Sequence, residues 1–142
     1  MERRELMAVA GVVGAVAATS RAFAQGTALS MHPPKYKMLE ETSGHCVASG
    51  NDCLRHCLGM MSMNDVSMSG CTSSVYELIT ACSALQTLAA VNSTHIVSFA
   101  RAVGEICARC QGECEKYPDI AECKACATSC KMCSEECRKV TA

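Results

Sequence analysis

The chain has no tryptophan, and Phe23 and Phe99 are its only phenylalanines. That excludes a core built on aromatic mass, which usually supplies much of the area a domain buries. Neither sign of charge dominates: 13 Lys and Arg stand against 14 Asp and Glu, a net charge of −1. No broad basic surface therefore points to nucleic acid or acidic lipid as a partner. Proline is scarce, at three residues, and no β-type alternation runs along the chain, so a sheet is not expected. No Ser/His/Asp set or carboxylate pair shares a helical stripe, and the thiols are too many to single out one nucleophile; an enzyme is not expected. What replaces the missing aromatics is sulfur, with 13 Cys and 9 Met in 142 residues.

The first residues read as an address. Arg3-Arg4 precede an uncharged apolar run from Leu6 to Ala18, and Ala22-Phe23-Ala24 forms a small-residue cleavage site. This is an export signal of twin-arginine type, with Glu2 where Ser or Thr is usual, and it places the mature protein in the periplasm. The apolar run is shorter than the ~20 residues a membrane span needs. Residues 1–24 are thus expected to be cleaved, 25–34 to be a flexible lead, and 35–142 to fold as one domain with no membrane span.

Within that domain, steps of three and four recur four times. Leu39, Thr42, Cys46, Ser49, Cys53, His56, Met60 and Met63 make a first stripe, and Met68, Cys71, Val75, Leu78, Cys82, Leu85 and Ala89 a second. Ile96, Ala100, Val103, Cys107, Cys110, Cys114 and Tyr117 make a third; Cys123, Cys126, Cys130, Cys133, Cys137 and Val140 make a fourth. Such steps hold residues on one helix face. Asn64-Asp65, Asn92-Ser93 and Tyr117-Pro118-Asp119 break the stripes, and Asp119 with Glu122 has capping-box spacing. Short breaks force antiparallel neighbours, so the spacing predicts an all-α, up-down-up-down four-helix bundle with a cysteine-lined core.

Stacking the stripes predicts a mouth of His56, Cys57, Met60, Met63, Met68, Cys71, Cys114 and Cys123. Below it Cys53 is expected level with Cys110 and Cys126, then Cys107 with Cys130, then Cys46 with Cys82 and Cys133. Leu39, Leu85, Ala89, Ile96 and Val140 close the far end. Cys57 alone among the cysteines falls beside a stripe position. His45 flanks Cys46, while His32 and His95 are expected in solvent.

Export to an oxidising compartment favours disulfides, but the pattern argues for another use. The count of 13 is odd. Residues three or four apart on a helix hold their Cβ atoms about 5–6 Å apart, whereas a disulfide needs about 3.8 Å. Cysteine as a small core hydrophobe explains one or two positions per helix; it does not explain five in succession on the fourth stripe, where Leu or Ala packs without risk of oxidation. Metal binding does. Thiolate and thioether donors favour Cu(I), with zinc and iron–sulfur clusters as competitors. Zinc held by four thiolates carries a net −2, expensive to repeat in a dry core; a monovalent ion on each thiolate is neutral at any number of sites. The reading is therefore multiple Cu(I), close to one per Cys, with Met60, Met63 and Met68 passing ions inward beside His56 and Cys57. Cys107, Cys110, Cys123 and Cys126 also carry zinc-ribbon spacing, and a single-ion copper metallochaperone, a copper-detoxification protein or an iron–sulfur protein remain the alternatives.

The runs His45-Cys46-Val47-Ala48, Asp52-Cys53-Leu54-Arg55-His56-Cys57 and Met63-Asn64-Asp65 resemble the exported bacterial copper storage proteins. So does Ile120-Ala121-Glu122-Cys123-Lys124-Ala125-Cys126, followed by Cys130, Cys133 and Cys137. The resemblance implies a homotetramer of four-helix bundles, copper entering at the Met/His end, and supply of copper-requiring enzymes such as a membrane methane oxidase. It implies ligand roles for the thirteen cysteines, for His56 and Met68 near the mouth, and for Met60 and Met63 at the entrance. Gly59 departs from the family pattern, where a bulkier helix former is expected.

Overall fold

A computed structural model describes residues 30–142; the export signal expected at 1–24 lies outside the described residues. Chain contacts separate Met1–Met31 from His32–Ala142, and the second unit contains every cysteine. It consists of α1 (Lys37–Ser62), α2 (Ser69–Ala90), α3 (Ile96–Cys114) and α4 (Ala121–Thr141), with no strand among the described residues. At 1.5 Å per residue the helices run from about 29 to about 39 Å. Each helix packs on two others, α1 on α2 and α4, and α3 on α2 and α4. This is the up-down-up-down bundle that the stripes and short connections predict. No described helix is long and apolar enough to cross a membrane.

Two of the turns share one chemistry. At the end of α1, Asn64 takes φ 61°, while Asp65 N donates to Met60 O and Asn64 N to Met61 O. At the end of α2, Asn92 takes φ 52°, while Ser93 N donates to Leu88 O and Asn92 N to Ala89 O. Both are Schellman closures, with asparagine supplying the left-handed residue more often filled by glycine. Asn92 also pins the incoming chain: Lys35 N donates to its Oδ1, and its Nδ2 donates to Pro33 O. The end of the expected lead is thereby held against the α2–α3 turn. Between α3 and α4, the Asp119–Glu122 capping box does not form; Ile120 is the N-cap, with no side-chain cap bond. Tyr117 Oη instead donates to Ser67 O, tying this turn to the α1–α2 turn at the same end of the bundle.

The buried set corrects the α1 stripe. Gly50 and Cys57 face inward where Ser49 and His56 were expected; Ser49 turns outward and bonds back to His45 O. The cause is the close approach of α2. A Cβ on Gly50 would lie 2.9 Å from Ile79 Cγ1, so any larger residue would have to push Ile79 aside. At the far end Leu39, Leu85, Ala89 and Ile96 are fully buried and Val140 partly so, which makes the expected apolar plug. Each fully buried Leu, Ile or Val there and at Leu78, Val75 and Val103 contributes about 1.5–3 kcal/mol.

Candidate metal centre

All thirteen cysteines are buried and none is in a disulfide. Three groups have their sulfurs within 4.8 Å of one another: Cys53, Cys71 and Cys114; Cys110, Cys126 and Cys130; and Cys46, Cys82, Cys107 and Cys133. Within and beside the first, Cys53 Sγ lies 3.8 Å from Cys71 and 3.7 Å from Cys123, and Cys71 Sγ lies 3.7 Å from Cys114. Cys82 and Cys107 approach to 3.8 Å in the third. Cys57 joins the first group through Cys53 and Cys71, and Cys137 joins the third through Cys133. Cys110 links to Cys114 above, and Cys130 to Cys46 below. The groups therefore form one connected column.

The levels match those expected in part. Cys110 lies with Cys126, and Cys46 with Cys82 and Cys133, as expected; Cys107 joins the latter set and not Cys130, Cys130 joins Cys110 and Cys126, and Cys53 sits with Cys71 and Cys114. Where α3 meets α4, Gly104 faces Cys137 so closely that a Cβ there would be 3.1 Å from Cys137 Cβ.

At the mouth the residues divide by depth. Met68 is 1% exposed and precedes α2, Met60 is half-buried, and Met63 is 68% exposed. His56 sits at the rim with its side chain 29% exposed, and its Nδ1 lies 4.0 Å from Glu122 Oε2. His45 and His95 are exposed. The sequence reading missed two polar neighbours: Ser74, a buried hydroxyl on α2 with no hydrogen-bond partner, and Glu122, opposite His56. Ser74 was within reach of the spacing argument, since it lies three residues after Cys71 and four before Leu78.

The proton distribution is uneven. Hydrogen bonds from Cys114, then Cys126 and Cys71, hold Cys53 far below the usual thiol range. Cys110 is held down by Cys114, Cys126 and Cys130, and Cys133 by Cys107, Cys137, Cys46 and Cys82. Cys46 is brought down to about 6, chiefly by Cys107 and then Cys130. The remaining thiols are raised: Cys123 to about 12, mainly by burial, and Cys82 because its S–H donates to Cys107, Cys133 and Cys46. A few sulfurs thus act as thiolate acceptors, and their neighbours keep protons that bind them.

A buried column of thiols on four helix seams, with a thioether and imidazole rim, defines a protein that holds soft metal ions in number. Comparison with known proteins gives the family. The profile of the copper storage proteins matches residues 32–142, and the chain belongs to that family. Its fold is similar to apo copper storage protein 3 from Bacillus subtilis, with a TM-score of 0.66 and 27% identity over 75% of this chain and 98% of that one. No curated protein sequence matches the chain.

Proposed function

We propose that the protein stores copper as Cu(I), close to one ion for each of its 13 cysteines, mostly in two-sulfur sites. The observation that carries this reading is the unbroken run of buried thiols from Cys57 to Cys137. Each Cu⁺ is matched by one thiolate, whether that sulfur gives up its proton on binding or is already ionised, so a filled core carries no unpaired charge, whatever the number of sites. Sulfurs 3.7–3.8 Å apart across helix seams need little movement to share a low-coordinate ion. His56, Met60, Met63 and Met68 receive copper at the mouth, the exposed Met63 first and the buried Met68 last.

The protein is exported through the twin-arginine route to the periplasm, where it supplies copper-requiring enzymes and has no catalytic role of its own. It assembles as a homotetramer; the resemblance supports this, and Leu58, Met61 and Tyr76 offer exposed apolar surface. The test is an anaerobic Cu(I) titration of the reduced mature protein, with copper and thiols counted together. Saturation near the thiol count is expected, and saturation at about one or two ions per chain overturns storage.

One group favours a second reading locally. Cys46, Cys82, Cys107 and Cys133 bring four sulfurs together, the donor set of a structural zinc site. Zinc held there against a stoichiometric excess of Cu(I) would assign that level to zinc.

A further inference from the structure

Beside the column, on the α3–α4 seam, lies a groove of about 270 Å³. Its α3 wall is Ala100, Gly104 and Ala108, each four residues from the next on one helix face, and its α4 wall carries Ser134 and Cys137. Cys137 is 1% exposed, and its Sγ lies 4.0 Å from the point that a Cβ on Gly104 would occupy. At that point α3 covers the thiol with backbone alone. Cys137 follows Cys133 by one helical turn, and Cys133 belongs with Cys46, Cys82 and Cys107 to the group nearest the apolar plug. The groove therefore meets the column at the end away from the mouth.

Two observations say what chemistry it accepts. Arg101 and Arg138 stand exposed on its rim, against the one carboxylate of Glu105. Ser134, 4% exposed, accepts from Arg138 Nη1 at 3.3 Å, and among the described residues its own O–H has no acceptor. Thr128 and Thr141 on the same helix donate back to Lys124 O and Cys137 O, the usual outlet for such a hydroxyl. A buried donor left over beside two guanidiniums fits a carboxylate.

We propose that this groove is a side port, where a small thiol bearing a carboxylate docks and withdraws copper held by Cys137. The proposal rests on the storage reading above and goes beyond it by separating exit from entry. The carboxylate takes Arg101, Arg138 and the Ser134 hydroxyl, and the thiol of the same molecule reaches Cys137 past Gly104. The exchange transfers no electron: the incoming S–Cu bond forms, the Cys137 S–Cu bond breaks, and the proton of the incoming thiol passes to the Cys137 sulfur. The need for such a route is geometric. Leu39, Leu85, Ala89 and Ile96 block the axis at this end, and Cys133 stands ten residues of α4 from Cys123 beside the mouth, about 15 Å. Without a side port, an ion at the bottom must pass every site above it.

The copper-loaded mature protein is held anaerobically with excess bathocuproine disulfonate, which reports freed Cu(I) by its colour. 3-Mercaptopropionate or uncharged 2-mercaptoethanol is added at matched thiolate concentration, and the rate with chelator alone is subtracted. Wild type is compared with Ala108→Trp and with the double variant Arg101→Gln, Arg138→Gln. All three positions are exposed, and copper uptake by each variant is expected to match wild type in rate and capacity. In wild type, 3-mercaptopropionate is expected to release copper about tenfold faster than 2-mercaptoethanol, the usual effect of hydrogen bonds to a charged group. The arginine variant is expected to lose that preference, and Ala108→Trp, whose indole fills the groove, to lose the acceleration by 3-mercaptopropionate. Equal release by the two thiols in wild type, or a preference that survives in the arginine variant, overturns the side port. If wild type takes up only about one or two ions, the storage reading fails; if it fills and Ala108→Trp releases copper at the wild-type rate, only the port fails.

Discussion

Cys53 and Cys123 bring their sulfurs to 3.7 Å across the α1–α4 seam. Cys53 also touches Cys71 on α2 at 3.8 Å, so a single thiol joins three helices just below the mouth. Cys53→Ser is therefore expected to cost more than one ligand. Loading should slow and capacity should fall by about one to three ions, since each sulfur can serve more than one low-coordinate ion. Stopped-flow uptake and an endpoint copper count check both parts; unchanged uptake would remove Cys53 from the path.

The rim makes a contrasting prediction. His56 and Met63 are accessible, and neither holds the fold together. His56→Ala with Met63→Ala is expected to slow uptake severalfold while changing capacity by about one ion at most. Met68 is the wrong residue for such a test, because truncating a fully buried methionine costs about 2–5 kcal/mol and would confuse loading with stability. A large fall in capacity in the double variant would mean that copper at the rim is part of the store.

Proton release should be uneven along a titration. Four thiols are held down, Cys46, Cys53, Cys110 and Cys133, and the other nine are raised. At neutral pH a thiol with a raised pKa must lose its proton to bind copper, whereas one with a lowered pKa has little left to lose. The first ions bound are expected to release well under one proton each and later ions close to one. Each later ion then binds about tenfold more weakly per unit fall in pH. Weakly buffered titration with a pH indicator measures the ratio; a constant ratio throughout contradicts the uneven distribution.

The glycines give opposite signs for one substitution. A Cβ on Gly50 meets Ile79 Cγ1 at 2.9 Å, whereas one on Gly59 meets nothing within 4 Å. Alanine gains up to about 1 kcal/mol over glycine in a helix, and overpacking costs about 1–3 kcal/mol. Gly59→Ala is expected to raise the melting temperature of the metal-free protein, and Gly50→Ala to lower it. Calorimetry decides both.

Much of this molecule was legible before its coordinates. Twelve thiols on stripes of three- and four-residue steps line helix faces, and the asparagine breaks place the turns, so bundle and topology followed from spacing. Register did not. The inward shift from Ser49 and His56 to Gly50 and Cys57, and the level that Cys107 joins, depend on how closely neighbouring helices approach. A glycine in a stripe reads as an absence in a sequence, while in the fold Gly50 and Gly104 mark where two helices lie close.

The arrangement of seams has a consequence for how long the protein survives. The sulfurs that meet at 3.7–3.8 Å belong to different helices in every case measured. An ion shared by such a pair is a staple between segments that are otherwise held by side-chain packing and short turns. A filled bundle is thus cross-linked many times over, by bonds that open when a competing ligand removes the metal and leave the polypeptide intact. Opening of the chain then waits on departure of the cargo, and the full container outlasts the empty one in the presence of proteases.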